Sequence, residues 1–163
     1  MMKANSLEEL ALHSLQDIYD AEQQALKVMP KMMQAASSQE LKMALQQHQQ
    51  ETEQQVQRLE QLFQMMGQKP QGVTCVAMQG LIKEAQEVLT MQGDPAVKDA
   101  AIIAAAQKLE HYEIASYGTA ATWAELLGMN DAKMLLGQTL AEEERTDKLL
   151  TQIAKRTVNA RAV

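Results

Sequence analysis

The sequence predicts an all-α protein, built as a four-helix bundle with a short fifth helix in the connection between the second and third bundle helices. Ala, Gln, Leu and Met are good helix formers and together supply 77 of the 163 residues, whereas Gly, Pro and aromatic residues are scarce. Four long segments and one short segment have helical periodicity, and breaks containing Gly, Pro or Ser separate them. Since this length suits one domain with a substantial core, residues 1–163 are predicted to form a single domain.

Capping residues mark where the first two helices begin. Ser6 followed by Glu9 forms a capping box, which predicts a first helix that runs to about Ala36. Ser38 is a second N-cap candidate and predicts a helix that runs to Met66.

A shorter amphipathic helix is predicted for residues 74–91, after a loop that contains two glycines and a proline. Asp94 as N-cap and Pro95 at the first helical position then start a long helix that ends at Leu127, with Gly128 at the C′ position.

The last helix is predicted to run to about Asn159, with Asn130 or Asp131 as its cap. Because the short helix falls between the second and third long helices, the chain is expected to cross there from one end of the bundle to the other.

Composition also narrows the class of protein. The net charge of −6 argues against nucleic acid as a partner. The sequence contains no run of 18 apolar residues, so no membrane span is predicted. The first five residues lead directly into a polar helix start, so no signal peptide is predicted. A single cysteine, Cys75, excludes an intramolecular disulfide and fits a reducing cytoplasm, which is the expected location.

Each long helix has a core-facing ladder of residues at alternating steps of three and four. The ladders are apolar at both ends and polar near the middle. The polar ladder residues are Glu22 in the first helix, His48, Thr52 and Gln55 in the second, Glu110 and Glu113 in the third long helix, and Glu143 and Asp147 in the last, with Glu51 and Glu144 beside them.

These interruptions predict a metal site. At about 1.5 Å rise per residue, antiparallel packing would bring them into one layer of the bundle. No Lys or Arg occupies the ladders, and a buried carboxylate without a partner costs roughly several kcal/mol. Protonation can neutralise one or two of the carboxylates, but neutralising the whole group requires a cation. A site of carboxylate and imidazole ligands suits Fe, Mn or Zn.

Two alternatives stay open at this point. Any single glutamate would be exposed to solvent if the core-facing positions of its helix were assigned with an error of one residue. Glu142, Glu143 and Glu144 follow one another, so the periodicity does not decide which of them faces the core.

Four sequence segments are distinctive: Asp17-Ile-Tyr-Asp-Ala-Glu-Gln23, His48-Gln-Gln-Glu-Thr52, Ala104-Ala-Ala-Gln-Lys-Leu-Glu-His-Tyr-Glu-Ile-Ala-Ser-Tyr-Gly118 and Leu140-Ala-Glu-Glu-Glu-Arg-Thr-Asp147. They resemble the YciE/YciF family of ferritin-like stress proteins, and the resemblance covers about residues 7–154. The resemblance implies a ferritin-like antiparallel bundle, a homodimer, a bacterial stress-response context and a di-metal centre of iron or manganese.

The resemblance also implies a ligand set. Glu22 would be the first-helix ligand and Glu51 the bridging ligand of the second helix. Glu110 and Glu113 would be the paired glutamates of the third bundle helix, and Glu144 with Asp147 would replace the Glu-x-x-His of the last helix. Gln54 stands where a second-helix histidine is expected, and His48, one turn before Glu51, is the substitute ligand.

Two functions follow as hypotheses. The first is a stress-response protein with a carboxylate-bridged di-metal site linked to oxidant or peroxide chemistry. The alternative is a non-catalytic structural or interaction protein whose buried carboxylates are protonated or bind a single stabilising metal. The sequence does not decide whether the chain is an enzyme.

Overall fold

The computed structural model describes residues 4–163, and all regular structure in that range is helical. The helices are α1 (Leu7–Ala35), α2 (Gln39–Met65), α3 (Val76–Thr90), α4 (Pro95–Leu126) and α5 (Asn130–Ile153), followed by a π-helical turn (Ala154–Val158) and a 3-10 turn (Asn159–Arg161). Five helices in the predicted order are therefore confirmed. Residues 1–3 belong to the N-terminal segment in which no signal peptide is predicted. They lie outside the range that the structure describes.

The predicted caps start three of the helices. The Ser6 hydroxyl accepts a hydrogen bond from the Glu9 amide at 3.2 Å, and the Ser38 hydroxyl accepts one from the Leu41 amide at 3.3 Å. The Asp94 carboxylate accepts from two amides in the first turn of α4. These side chains satisfy backbone donors that the helix itself leaves free.

The start of α5 differs from the prediction. The helix begins at Asn130, and Met129 occupies the cap position without a side-chain hydrogen bond. The reason is the tight turn that precedes it: Gly128 has a φ of 71°, and the Met129 amide donates to the Ala124 carbonyl at 2.9 Å. The turn satisfies a carbonyl at the end of α4 and leads directly into α5, so that Met129, which has no capping side chain, takes the N-cap position.

The four long helices form a closed set of neighbours. Helix α1 packs against α2 and α4, and α5 packs against the same two helices, while α3 covers α1 and α4. None of the helices in residues 4–163 has both the length and the apolar character needed to cross a bilayer.

The apolar core is divided into two parts. One cluster contains Val28, Met32, Leu41, Leu45, Ile102, Leu150 and Ile153, and the other contains Leu15, Ile18, Leu59, Leu62, Phe63 and Leu136. Along each long helix the polar ladder residues fall between the members of the two clusters. The predicted pattern, apolar at both ends and polar in the middle, thus becomes a polar layer between two apolar ones.

Candidate metal centre

Five buried side chains from four helices meet in the polar layer, and we call them the central cluster. They are Glu22 from α1, His48 from α2, Glu110 and Glu113 from α4, and Glu143 from α5, each at most 2% exposed. One potential ligand atom from each of His48, Glu110, Glu113 and Glu143 lies within 4.8 Å of the other three. Glu22 is near enough for its charge to act on Glu113 and Glu110.

His48 is in contact with carboxylates through one ring nitrogen and with a hydroxyl through the other. Its Nε2 atom lies 3.0 Å from Glu110 Oε1 and 3.8 Å from Glu143 Oε2. The 3.0 Å contact lacks hydrogen-bond geometry, so Nε2 has no hydrogen-bond partner among the described residues. Nδ1 lies 3.4 Å from the hydroxyl oxygen of Thr146. The imidazole is therefore held between α4 and α5 with one nitrogen facing the carboxylates.

Two neutral side chains hold the glutamates of the central cluster in place. Tyr117 on α4 donates a hydrogen bond from its hydroxyl to Glu22 Oε1 on α1 at 2.5 Å. Gln55 donates from its amide nitrogen to Glu143 Oε1 and, at 3.1 Å, to an oxygen of Glu142. Each bond joins two helices, so the carboxylates are oriented from outside their own helix.

An arginine–carboxylate pair borders the cluster. Arg58 on α2 binds both carboxylate oxygens of Glu142 on α5, at 2.6 and 2.7 Å. Partial burial alone would raise the pKa of Glu142, but the hydrogen bonds from Arg58 and Gln55 lower it below its ordinary value. Arg58 thus neutralises Glu142, and among the described residues no Lys or Arg pairs with the four carboxylates of the central cluster.

Burial and mutual repulsion make these four carboxylates weak acids. Burial, together with the nearby charge of Glu143, raises the pKa of Glu22 to about 8. Burial, together with Glu22, likewise raises the pKa of Glu110 to about 8. The pKa values of Glu113 and Glu143 lie well above the ordinary carboxyl value for the same two reasons. Without a cation the cluster therefore holds protons at neutral pH.

Unpaired polar atoms are concentrated at this one place. Among the described residues, eight buried side-chain nitrogen and oxygen atoms have no hydrogen-bond partner. They are Glu22 Oε2, His48 Nε2, Glu110 Oε2, both carboxylate oxygens of Glu113, Glu143 Oε2, Thr52 Oγ1 and Gln55 Oε1. Buried polar atoms normally have partners, because leaving one unpaired costs about 1–3 kcal/mol. Five carboxylate oxygens and one imidazole nitrogen form a donor set that fits iron or manganese.

Two of the predicted ligands lie outside the central cluster, near the surface. Glu51 is 16% exposed and accepts hydrogen bonds from Arg145 at 2.8 Å and from Gln47 at 3.0 Å. Glu144 is 48% exposed and lies 3.8 Å from the ammonium group of Lys148. Neither carboxylate is among the buried potential ligands that lie together, although Glu51 is near enough for its charge to raise the pKa of Glu110.

Asp147 also lies outside the cluster. It is 20% exposed and is bound by the Gln107 amide at 2.8 Å and the His111 ring at 3.2 Å. The buried face of α5 contains Glu143 and Thr146 in its place. The residue after a buried helical position points about 100° away, which accounts for the position of Asp147.

The buried face of α5 agrees with the predicted ladder in part. The buried ladder runs through Leu136, Thr139, Glu143, Thr146, Leu150 and Ile153. Of the two polar residues in the predicted ladder, Glu143 is buried and Asp147 is only partly buried. Alternating steps of three and four also fit the observed ladder, which contains Thr139 and Thr146.

Comparisons with known proteins place the chain in a family. Residues 6–163 match the family described as "Domain of unknown function (DUF892)". Protein YciF of Escherichia coli is 45% identical over 162 residues, which are 99% of this chain and 98% of that protein.

Solved structures agree with this relation. The crystal structure of the E. coli stress protein YciF matches with a TM-score of 0.92 at 45% identity, covering 96% of this chain and 99% of that one. YcfI of Rhodopseudomonas palustris matches with a TM-score of 0.88 at 46% identity, covering 93% and 98%. A protein from Xanthomonas campestris, at 24% identity and a TM-score of 0.73 over 95% of each chain, is similar in fold. The chain therefore belongs to the DUF892 family and is a relative of E. coli YciF, as its sequence motifs predicted.

Proposed function

We propose that this protein is a ferritin-like four-helix bundle that binds iron or manganese in its central cluster and takes part in a stress response. The observation that carries the proposal is the group of unpaired carboxylate and imidazole atoms, buried in one layer and free of any Lys or Arg. The closed packing of the four long helices supports the bundle, and antiparallel helices joined through the α3 crossover fit the helix order.

Charge balance favours a di-metal centre. Glu22, Glu110, Glu113 and Glu143 carry four negative charges when ionised, which two divalent cations would neutralise. His48 would complete the donor set as the nitrogen ligand. Bound iron or manganese would supply Lewis-acid and redox chemistry, which is the basis for proposing a link to oxidants or peroxide.

The chain's own residues prepare this centre. Tyr117 holds Glu22, and Gln55 holds Glu143, so both carboxylates keep a fixed orientation whether or not they are protonated. The two apolar clusters on either side limit the access of water to the polar layer. Binding a cation would release the protons that burial retains on the four glutamates, so metal affinity is expected to rise with pH.

The wider setting is part of the same proposal. The E. coli relative is a stress protein, which supports the stress-response role. The resemblance to its family implies a cytoplasmic homodimer, which belongs to the same proposal.

Metal content is the direct test. Protein purified without tags or chelators and loaded aerobically with ferrous iron should contain close to two ions per chain by plasma mass spectrometry. The double variant Glu22→Gln/Glu113→Gln should lose most of this metal. The control Glu8→Gln/Glu53→Gln removes two charges from exposed positions and should retain it. Unchanged metal in the first double variant would disprove the site.

A second candidate function has its own support. The raised pKa values of the cluster allow the carboxyls to remain protonated and hydrogen-bonded in the absence of metal. A structural role has been proposed for the relative YcfI of Rhodopseudomonas palustris. In this alternative the chain is a non-catalytic structural or interaction protein, and the wild-type chain would bind no iron or manganese, or a single stabilising ion.

A further inference from the structure

A surface groove of about 470 Å³ between α2 and α5 leads to the central cluster. Its lining includes Gln47, His48, Glu144, Arg145, Thr146 and Lys148. His48 thus belongs both to the wall of the groove and to the cluster. A groove of similar size between α3 and α4, about 420 Å³, has no cluster residue in its lining.

The His48 ring separates the groove from the carboxylates. Its Nδ1 atom is in contact with the Thr146 hydroxyl, which lines the groove, and its Nε2 atom faces Glu110 and Glu143 inside the protein. The side chain is 2% exposed, and Nε2 has no hydrogen-bond partner among the described residues. A cation that enters from the groove would therefore have to pass the His48 ring to reach the free Nε2 atom and the carboxylates behind it.

Of the carboxylates that the sequence had suggested as ligands, Glu144 lies in the groove wall and Glu51 lies beside it, bound to a residue of that wall. Glu144 lines the groove and faces Lys148, and Glu51 is bound by Arg145, which also lines it. The cationic partner of each carboxylate is a long, exposed side chain, which can move aside at small cost, and Glu51 also accepts a hydrogen bond from Gln47. An incoming divalent cation can therefore replace either partner.

We propose that the α2–α5 groove is the access route for divalent cations, in which Glu144 and Glu51 attract the cation from solvent and His48 passes it to the buried carboxylates. This inference rests on the proposed function, because it presumes that the central cluster binds metal. It gives a role to two acidic residues that the cluster does not use.

The decisive experiment blocks the groove and follows metal uptake. Ala141 lines the groove and is exposed, so Ala141→Trp should fill it without disturbing the core. Stopped-flow measurement of the visible absorption of Co²⁺ as it binds the full-length protein should show uptake slowed by at least an order of magnitude, with the final stoichiometry unchanged. Ala104→Trp makes the same change in the α3–α4 groove and should leave the rate unaltered.

Charge changes provide a second, independent measurement. Glu144→Gln should slow Co²⁺ uptake severalfold, and Lys148→Gln should accelerate it, because the first removes an attractive charge and the second a repulsive one. Both effects should shrink as salt is added. Opposite signs from two neighbouring substitutions are not expected from a general loss of stability.

The possible failures can be told apart. Equal uptake rates for wild type, Ala141→Trp and Ala104→Trp would overturn the route while leaving the metal site intact. No uptake by the wild-type protein would overturn the proposed function, and the route with it. If circular dichroism shows that Ala141→Trp does not fold, the uptake rates of Glu144→Gln and Lys148→Gln test the route instead. Rates equal to wild type in both charge variants would overturn it.

Discussion

Gln55 on α2 and Glu143 on α5 are joined by a hydrogen bond across the helix interface, in which the Gln55 amide nitrogen is the donor. The same nitrogen donates to Glu142, which Arg58 holds by two hydrogen bonds. A continuous set of polar contacts therefore runs from the largely buried Arg58 to a glutamate of the central cluster.

Removal of this bond should weaken metal binding. In Gln55→Leu, Glu143 loses the donor that orients it, and partners of this kind typically contribute 10–100-fold in metal affinity, so a loss of about tenfold is expected. Competition titration against a chelator measures it. Gln54→Leu, at an exposed position one residue away, is the control and should bind as wild type. Equal affinities of the two variants would contradict the orienting role.

The Tyr117 hydroxyl should stabilise the metal-free protein. Tyr117→Phe leaves the bonded oxygen of Glu22 without a partner, so a loss of about 1–3 kcal/mol in the free energy of unfolding is expected. Urea denaturation measures this loss. Tyr19→Phe removes a 3.1 Å hydrogen bond to Glu60 in a partly exposed setting and should cost less. If both variants lost the same stability, the burial of the Tyr117–Glu22 pair would have no special effect.

The metal-free protein should become less stable as the pH rises. Glu22 and Glu110 have folded-state pKa values raised to about 8, above the ordinary carboxyl value near 4.5. The folded chain therefore binds more protons than the unfolded chain between these values, and the stabilisation present at low pH is lost as the pH rises toward 8. Thermal unfolding midpoints of metal-free protein should fall by several degrees between about pH 5 and pH 8.

Saturating metal should change that dependence. A bound cation favours the ionised carboxylates, so the decline with pH should disappear or reverse. The variant Glu22→Gln/Glu113→Gln removes two of the titrating groups and should show a weaker decline without metal. A decline of the wild-type size in this variant would place the titrating groups elsewhere.

The Arg58–Glu142 pair should contribute more than the exposed ion pairs. Arg58 and Glu142 are 11% and 12% exposed and make a two-bond contact, so Arg58→Met should lower the free energy of unfolding by roughly 2 kcal/mol. The Glu144–Lys148 pair is exposed and 3.8 Å apart, and Lys148→Met should cost at most about 0.5 kcal/mol. Double-mutant cycles on the two pairs provide the comparison, and similar coupling energies would contradict the prediction.

Several features of this protein could be predicted from the sequence alone. Composition and periodicity indicated five helices, and Ser6, Ser38 and Asp94 marked three helix starts, because capping is local chemistry. The ladders of α1 and α2 are buried throughout as predicted, including Glu22 and His48. In these helices the apolar residues leave only one choice of face, so the polar residues on that face were identified as well.

The tertiary structure decided what local periodicity leaves open. A helix rotated by one residue turns its face by about 100°, and in α5 the sequence permitted more than one rotation. Packing against α2 and α4 selects Glu143 and turns Glu144 and Asp147 outward. The partner of Tyr117 is likewise Glu22 on another helix, because the distances between helices depend on the packing of the whole core and on no single segment. The sequence therefore determined which helices carry the polar layer, and the packing of those helices determined which side chains meet in it.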